Sequence, residues 1–366
     1  MVMLKKILFF FFVLSQTFAQ NPTLTEQATV SIFTCGRGEQ LYSTFGHTAI
    51  RIKDINTNLD VVYNYGAFDF STEHFYLKFV KGDLQYFIIA TSYTEFIYEY
   101  QYDGREVIEQ TLNFPLVKKQ ELFERLNASL LSEERNYTYK FIDQNCTTMV
   151  VDKVNQTYGN KLIQKVDDKT ISYREVLYPY FDNYFWYNLG INVIFGAKTD
   201  KKAEQLFLPI ELLHSLDQAK IDGKPIVVKK ETLVQAVSKS HSFSFVNSIY
   251  FVALLLLLLL LTRKNWVYKS YLFVCGLMGL FLCVVGFYSL HQEVSWNYNA
   301  LLFNPLFILL PFLKWSAARK VIFICLGLLA IYLVVVITKP YLLLMVPFLI
   351  THLVMMFKLR KVSKDN

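Results

Sequence analysis

Two side chains in this sequence are suited by type and spacing to covalent chemistry. One is His47, inside the strand-like run Phe45–Ile52 (FGHTAIRI); the other is Cys146, at a helix-opening Asn145–Thr148 (NCTT) much further along. A thiol at a helix N-terminus sits where backbone N–H groups and the helix dipole favour thiolate. A histidine on a neighbouring strand can take the thiol proton and hold the imidazolium beside the sulfur. Acyl transfer further needs a group that orients the base and donors for a tetrahedral oxyanion. In that scheme Cys146 is the nucleophile, and His47 is general base, then general acid. Asn64, within VVYNYG, is the residue expected to fix the imidazole, with Tyr63, Tyr65 and Asp69 as competitors. The Cys146 N–H and a nearby side chain would supply the oxyanion donors. His74, in STEHFYLKF, is a second possible base but reads as surface on an amphipathic turn, and His214 reads similarly.

The elements that must position this pair read as α+β. Short runs rich in Val, Ile, Tyr and Phe at 28–35, 45–54, 59–70 and 84–92 read as strands, punctuated by Gly, Asp and Asn. Residues 93–101 and 118–132 read as helices, the latter from Leu122, Phe123, Leu126 and Leu130 at spacings of three and four. A helix from Cys146 to about Tyr158 follows, with Asn145 as N-cap and Gly159 as terminator. Residues 173–212 are crowded with aromatics, read either as core and lid packing or as a face resting on a bilayer interface.

The last third explains the 53% hydrophobic content. Apolar stretches near 244–262, 271–290, 299–313, 320–338 and 340–357 are expected to be spans. The third is short and carries Pro305 and Pro311, which suggests a kinked or re-entrant segment. Arg263, Lys264 and Lys269, then Lys314, Arg319 and Lys320, then Lys358, Arg360, Lys361 and Lys364 follow alternate stretches; the opposite loops hold only Glu293 and Lys339. This positive-inside pattern leaves residues 20–243 outside the cytoplasm. The N-terminus agrees: Lys5 and Lys6, the apolar run Ile7–Leu14 and Thr17-Phe18-Ala19 read as a signal peptide over 1–19. Residues 359–366 would form a cytoplasmic tail. The net charge of +7 is then largely topological and gives no ground for nucleic-acid binding. Only Cys35 and Cys146 fall in the exported part, so a disulfide between them is the competing account of Cys146. Cys35 lies in the Gly-flanked TCGRGEQ, which looks like a loop; Cys275, Cys283 and Cys325 read as apolar fillers of spans. No ligand-spaced metal cluster, phosphate loop or nucleotide fingerprint is present, so no cofactor is expected.

The order of a strand histidine followed by NC at a helix start is similar to circularly permuted papain-like proteins of the NlpC/P60 superfamily, including lecithin–retinol acyltransferase-like enzymes. More closely, FTCGRGEQLYSTFGHTAIRI, VVYNYGAFDF, FYLKFVKGDLQYFI and FIDQNCTT resemble the periplasmic domain of the Bacteroidota-type lipoprotein N-acyltransferase (Lnb), and WNYNALLFNPL resembles that family's membrane domain. The resemblance implies a permuted papain-like catalytic domain on a membrane domain in the bacterial inner membrane. It implies transfer of a fatty acyl chain from a phospholipid, through a Cys146 thioester, to the α-amino group of a diacylglyceryl-cysteine lipoprotein. The family's Cys and His fall on Cys146 and His47; Asn64 rests on fold logic alone. The loop with His291, Gln292, Trp296 and Asn297, and the adjoining Asn299 and Asn304, could bind headgroups or close the site; an interfacial anchor is the plainer reading. Two further readings compete: a peptidoglycan amidase or endopeptidase of NlpC/P60 type, and a non-catalytic membrane scaffold with Cys146 bonded to Cys35.

Overall fold

The computed structural model describes residues 22–159, 161–237 and 242–362; the expected signal peptide at 1–19 and residues 363–366 of the expected tail lie outside them. The first part of the chain folds around a seven-stranded antiparallel sheet. Its strands are β1 (Thr29–Cys35), β2 (His47–Asp54), β3 (Leu59–Ala67), β4 (Gln85–Ser92), β5 (Val107–Leu112), β6 (Asn136–Thr138) and β9 (Val227–Val234). They lie in the order β6-β4-β3-β2-β1-β5-β9, while β7 (Lys220–Ile221) and β8 (Lys224–Pro225) form a small ribbon. Because strand side chains alternate between faces, β1 and β2 present Ile32, Ile50 and Ile52 to one side and Phe33, Cys35 and Ala49 to the other.

Each face is covered by helices. The Ile32 face packs on α3 (Leu116–Leu131) through Leu122, Phe123 and Leu126, and on α4 (Cys146–Tyr158) through Val150 and Val154. The Phe33 face packs on α2 (Tyr93–Asp103) through Phe96, Ile97 and Tyr100. A short α1 (Phe75–Lys81) precedes β4. Cys35 is the buried last residue of β1, paired with His47, and does not lie in a loop.

The aromatic stretch becomes α5 (Tyr173–Leu177), α6 (Phe185–Ile194) and α7 (Pro209–Gln218). Tyr173, Leu177, Phe181 and Phe207 form a core with Ile142, just ahead of α4. Phe185, Leu189, Val193 and Ile194 of α6 pack instead against the C-terminal helices. The stretch is therefore a layer joining the sheet domain to those helices, with half-exposed Trp186 set edge-on to Phe251.

The C-terminal part is helical: α8 (Ile249–Leu261), α9 (Asn265–Tyr288), α10 (Asn299–Leu302), α11 (Trp315–Val336) and α12 (Leu342–Val362). Three helices, Asn265–Tyr288, Trp315–Val336 and Leu342–Leu359, are long and apolar enough to cross a membrane. The other two apolar stretches give shorter helical segments, Ile249–Leu261 and Asn299–Leu309. The second of these breaks at Asn304-Pro305, where proline has no N–H to donate and Asn304 caps Leu306. It leans on α9 so closely that a Cβ at Gly279 would stand 1.5 Å from the Phe303 carbonyl oxygen, so only glycine fits there.

Arg174 locks the layer to the helices. Its guanidinium is buried, donates to Asp200 at 2.8 Å and to Asn192 Oδ1 at 3.1 Å, and lies 4.4 Å over the Tyr341 ring. A buried charge stripped of its partner is costly, whereas an intact buried pair is near neutral. Arg174→Ala strands Asp200 and is expected to lower stability by about 3–5 kcal/mol. Denaturant unfolding of the detergent-purified protein measures it; a loss below about 1 kcal/mol would mean that Asp200 finds another cation, Lys339 at 3.9 Å being the nearest offered.

Candidate active site

Helix α4 begins at Cys146 because Asn145 caps it. The Asn145 side chain accepts from the N–H groups of Thr147 (2.9 Å) and Thr148 (3.0 Å), and Thr148 Oγ1 accepts in return from the Asn145 N–H at 2.8 Å. The cap is held from outside, since Asn145 Nδ2 donates to the carbonyls of Phe141 (2.7 Å) and Phe207 (2.8 Å). The first-turn N–H groups of a helix have no partner within it. Asn145 takes two of them and leaves the Cys146 N–H outside its reach.

The sheet opens where the thiol arrives. The β2–β3 ladder runs from Asp54–Leu59 to Ala49–Asn64 and stops. His47 and Gly66, the next residues on that face in the same register, are left to either side of the gap. Cys146 fills it from the α4 side: its Cβ lies 3.6 Å from where a Gly66 Cβ would stand. Gly66 has φ +99°, a conformation that side chains resist, and the β3–β4 register shifts at this point. The local bulge is what lets a helix on one face of the sheet meet a histidine on the other.

The two groups lie close enough that each shifts the other's ionisation. His47 Nε2 donates to Asn64 Oδ1 at 3.3 Å, which leaves Nδ1 for the sulfur. The Asn64 amide is itself aimed, donating to the Val62 carbonyl and to Thr91 Oγ1, each at 3.3 Å. Burial opposes charge on the imidazole, but the Cys146 sulfur and the Asn64 oxygen outweigh it and raise the His47 pKa. Burial likewise opposes the thiolate; His47, the Thr48 N–H and the Thr147 hydroxyl outweigh it and lower the Cys146 pKa. Thr147 Oγ1 lies 3.9 Å from Sγ and is held by Thr48 Oγ1 at 3.0 Å. Both shifts favour thiolate beside imidazolium.

The residues that competed for these roles lie elsewhere. Tyr63 donates to Asn127 Oδ1 at 2.7 Å, Tyr65 packs beside Tyr137, and Asp69 holds Ser71. His74 is exposed beside Glu73, and His214 pairs with Asp167 at 2.8 Å. Cys35 and Cys146 are both free thiols with separate partners. Burial pushes the Cys35 thiol up to about 12 despite its hydrogen bond to Tyr100. One cysteine is thus tuned toward thiolate and the other away from it.

His47, Asn64 and Gly66 line a cleft of about 320 Å³ on the α2 face, bordered by Tyr42, Phe68 and Arg105. Tyr137, which sequence reasoning did not single out, also reaches the site. Its hydroxyl stands 3.9 Å from the Gly66 Cβ position, is buried, and is without a hydrogen-bond partner among the described residues. An orphaned buried hydroxyl costs free energy in the resting state. Nothing in YTYKF marks it, because only the fold brings β6 next to Gly66.

The residues expected to bind headgroups have other contacts. Asn297 Nδ2 donates to the carbonyls of Val193 and Ile194, and Asn299 Nδ2 to those of Asn192 and Val193. Both asparagines are buried and fasten the loop after α9 to α6. His291 Nε2 donates to the Phe79 carbonyl at 2.9 Å, and Trp296 is 81% exposed. The same loop meets the turn before Cys146. Glu293 Oε1 accepts from the Ile142 N–H at 3.2 Å, and Lys198 bridges Asp143 and Gln292.

A sheet domain with a helix-borne thiol, followed by helices able to cross a membrane, defines a membrane protein that carries its mixed α/β domain outside the bilayer. Residues 16–178 match the family model described as the Lnb N-terminal periplasmic domain. This stretch, somewhat under half of the chain, is thus a domain of the Lnb periplasmic type. No curated protein and no solved structure matches it.

Proposed function

We propose that this chain is a lipoprotein N-acyltransferase. Cys146 would carry a fatty acyl group from a membrane phospholipid to the α-amino group of a diacylglyceryl-cysteine lipoprotein. The observation that carries the reading is the Cys146–His47–Asn64 arrangement at the sheet gap, inside a periplasmic Lnb domain. We read residues 20–243 as a permuted papain-like catalytic domain and 244–358 as a membrane domain in the inner membrane. Five crossings fit the contacts at the two ends of the helical region. Lys358 Nζ donates to the Leu260 carbonyl at 3.2 Å, joining the ends of α12 and α8 at what would be the cytoplasmic side. Lys339 lies 3.9 Å from Asp200 and Tyr332 donates to Asn299 at 3.0 Å, at what would be the periplasmic side. The irregular segment 299–313 would make the third crossing, packed against α9 where its broken backbone is shielded from lipid.

In the first half-reaction the Cys146 thiolate attacks the ester carbonyl of a glycerophospholipid. The tetrahedral oxyanion collapses with cleavage of the C–O bond, and the His47 imidazolium protonates the departing glycerol oxygen. A thioester and a lysophospholipid result. In the second, the lipoprotein amine attacks the thioester and gives its proton to His47. The C–S bond breaks, restoring thiolate and imidazolium and leaving an amide. The Cys146 N–H and the Tyr137 hydroxyl would hold the oxyanion in both halves.

The test is to supply the purified full chain with phospholipid vesicles and a synthetic diacylated lipopeptide. A lipopeptide gaining one acyl mass, with lysophospholipid released, is expected. Muropeptide cleavage in place of that product would move the assignment to an amidase.

Tyr137→Phe sharpens the oxyanion assignment. Acylation of Cys146 is expected to slow about 10²-fold, the usual scale for one oxyanion donor. Folding stability should stay level or rise, because the deleted hydroxyl has no partner in the resting protein. Unchanged acylation would remove Tyr137 from the mechanism.

A further inference from the structure

Both substrates of the proposed reaction are lipids, so the way by which an ester reaches the cleft is a property of the surface around it. A file of aromatic rings leads outward from the cleft wall. Phe68 lines the cleft and meets Tyr42 at 6.0 Å and Phe75 at 5.9 Å between ring centroids. Phe75 is stacked 6.5 Å from Phe79, and Phe79 lies 5.9 Å from the His291 ring, in the loop after α9.

The outer side of this file is exposed and apolar. Tyr76 is 77% and Leu77 71% exposed on α1, with Phe79, Val80 and Phe70 also open. An exposed apolar patch of this extent calls for a partner. Its level relative to the bilayer is set by backbone bonding to the end of a membrane-capable helix. The Leu290 N–H donates to the Lys81 carbonyl at 2.7 Å, Ser289 Oγ to the Val80 carbonyl at 2.8 Å, and His291 to that of Phe79. Exposed Phe287 and Tyr288 on α9, and Leu290 just after it, continue the patch, and Lys78 and Lys81 sit in the last turn of α1. Aromatic side chains with lysines at the end of a spanning helix are the composition of a headgroup-level belt.

We propose that α1 and the preceding Phe68–Phe70 segment rest in the outer bilayer interface and form the portal through which an acyl chain of a bilayer glycerophospholipid reaches the His47–Cys146 cleft. The proposal rests on the acyltransferase reading and adds the donor's route. The patch is continuous with the lipid-facing surface of α9 and ends at the cleft. A lipid can therefore slide its ester toward Cys146 with its chains still in apolar surroundings.

The test compares two acyl donors on the full chain in detergent-free nanodiscs. The variant is Tyr76→Ser combined with Leu77→Ser; both side chains are exposed and neither touches the cleft. Intact-mass measurement follows acylation of Cys146 from phospholipid in the disc and, separately, from a water-soluble p-nitrophenyl butyrate. The variant is expected to acylate about tenfold more slowly from phospholipid and at the wild-type rate from the soluble ester, which also shows that it has folded. Equal rates from phospholipid, or equal losses with both donors, would overturn the portal. Normal acylation with loss only of transfer to lipopeptide would also overturn it, giving the patch to the acceptor. Wild type unacylated by either donor would instead strike down the acyltransferase reading beneath it.

Discussion

Cys146→Ser is expected to remove the covalent intermediate and lower acyl transfer by about 10⁴-fold or more, the scale on which a single member of a nucleophile–base unit is lost. The effect is large because the site is built for a thiolate and not for any small polar group. His47, the Thr48 N–H and the Thr147 hydroxyl together overcome the burial that would keep the thiol protonated. A serine hydroxyl in the same place is far from ionising, so these contacts cannot supply an oxyanion nucleophile. The serine variant should fold normally, since Asn145 and not residue 146 caps α4. The check is intact-mass analysis after incubation with phospholipid vesicles, with lipopeptide mass followed in parallel. Wild type should carry one acyl mass on the Cys146 peptide and the variant none. An acyl mass on Cys35 would redirect the assignment, and the environment of Cys35 argues against it. That thiol is buried at the end of β1, bonded to Tyr100 and pushed to about 12.

The parts of this site that could be read from the sequence are those fixed by local chemistry. Helix α4 runs over Cys146–Tyr158 with Asn145 ahead and Gly159 behind, as expected, because capping depends on residues within one turn. Strands β1 to β4 were visible from runs of Val, Ile, Tyr and Phe; β3 ends at Ala67 instead of residue 70, its register with β4 shifting at Gly66 and its last pair being Ala67 with Phe87. The edge strand β9 (VVKKETLV) was not visible. It has charged residues along its exposed length and lacks the apolar alternation that marks a half-buried strand. Residues whose roles arise from distant contacts were also hidden. Tyr137 meets the site only because β6 pairs with β4, and Glu293 meets the nucleophile turn across 151 residues. Asn297 and Asn299 stand in and beside the loop expected to bind headgroups or close the site. Their polar groups are spent on the carbonyls of α6, which the sequence gives no means of locating.

Glu293 and Lys198 give this separation a functional side. The turn Phe141–Gln144 that presents Cys146 is tied to the loop after α9 through Ile142, Asp143 and Lys198. The same loop is tied through His291 and Leu290 to α1. Nucleophile turn and interfacial helix are therefore both referenced to one end of one membrane-capable helix. Under the acyltransferase proposal, such an arrangement would hold the thiol at a fixed height relative to the lipid while the acyl chain is exchanged.

His47→Ala should be nearly as damaging as loss of the sulfur, by about 10³-fold or more in acylation, and its pH signature separates a catalytic base from a packing residue. In the wild type the sulfur's pKa lies below its ordinary value, so thiolate is present above that lowered pKa and is lost as pH falls through it. The imidazole's pKa lies above its ordinary value, so imidazolium is present below that raised pKa and is lost as pH rises through it. Acylation should therefore be bell-shaped: an acid limb reporting the thiol and an alkaline limb reporting the imidazole, with the ion pair populated between them. Removing His47 deletes the largest influence holding the thiol down and leaves burial, which pushes it up. The acid limb should then move to alkaline pH and the alkaline limb should vanish. Iodoacetamide alkylation of Cys146, read by peptide mass across a pH series, measures the thiolate without any acyl donor. An unchanged alkylation midpoint in His47→Ala would mean that the helix N-terminus, Thr48 and Thr147 alone hold the thiolate, and His47 would lose its place as the base.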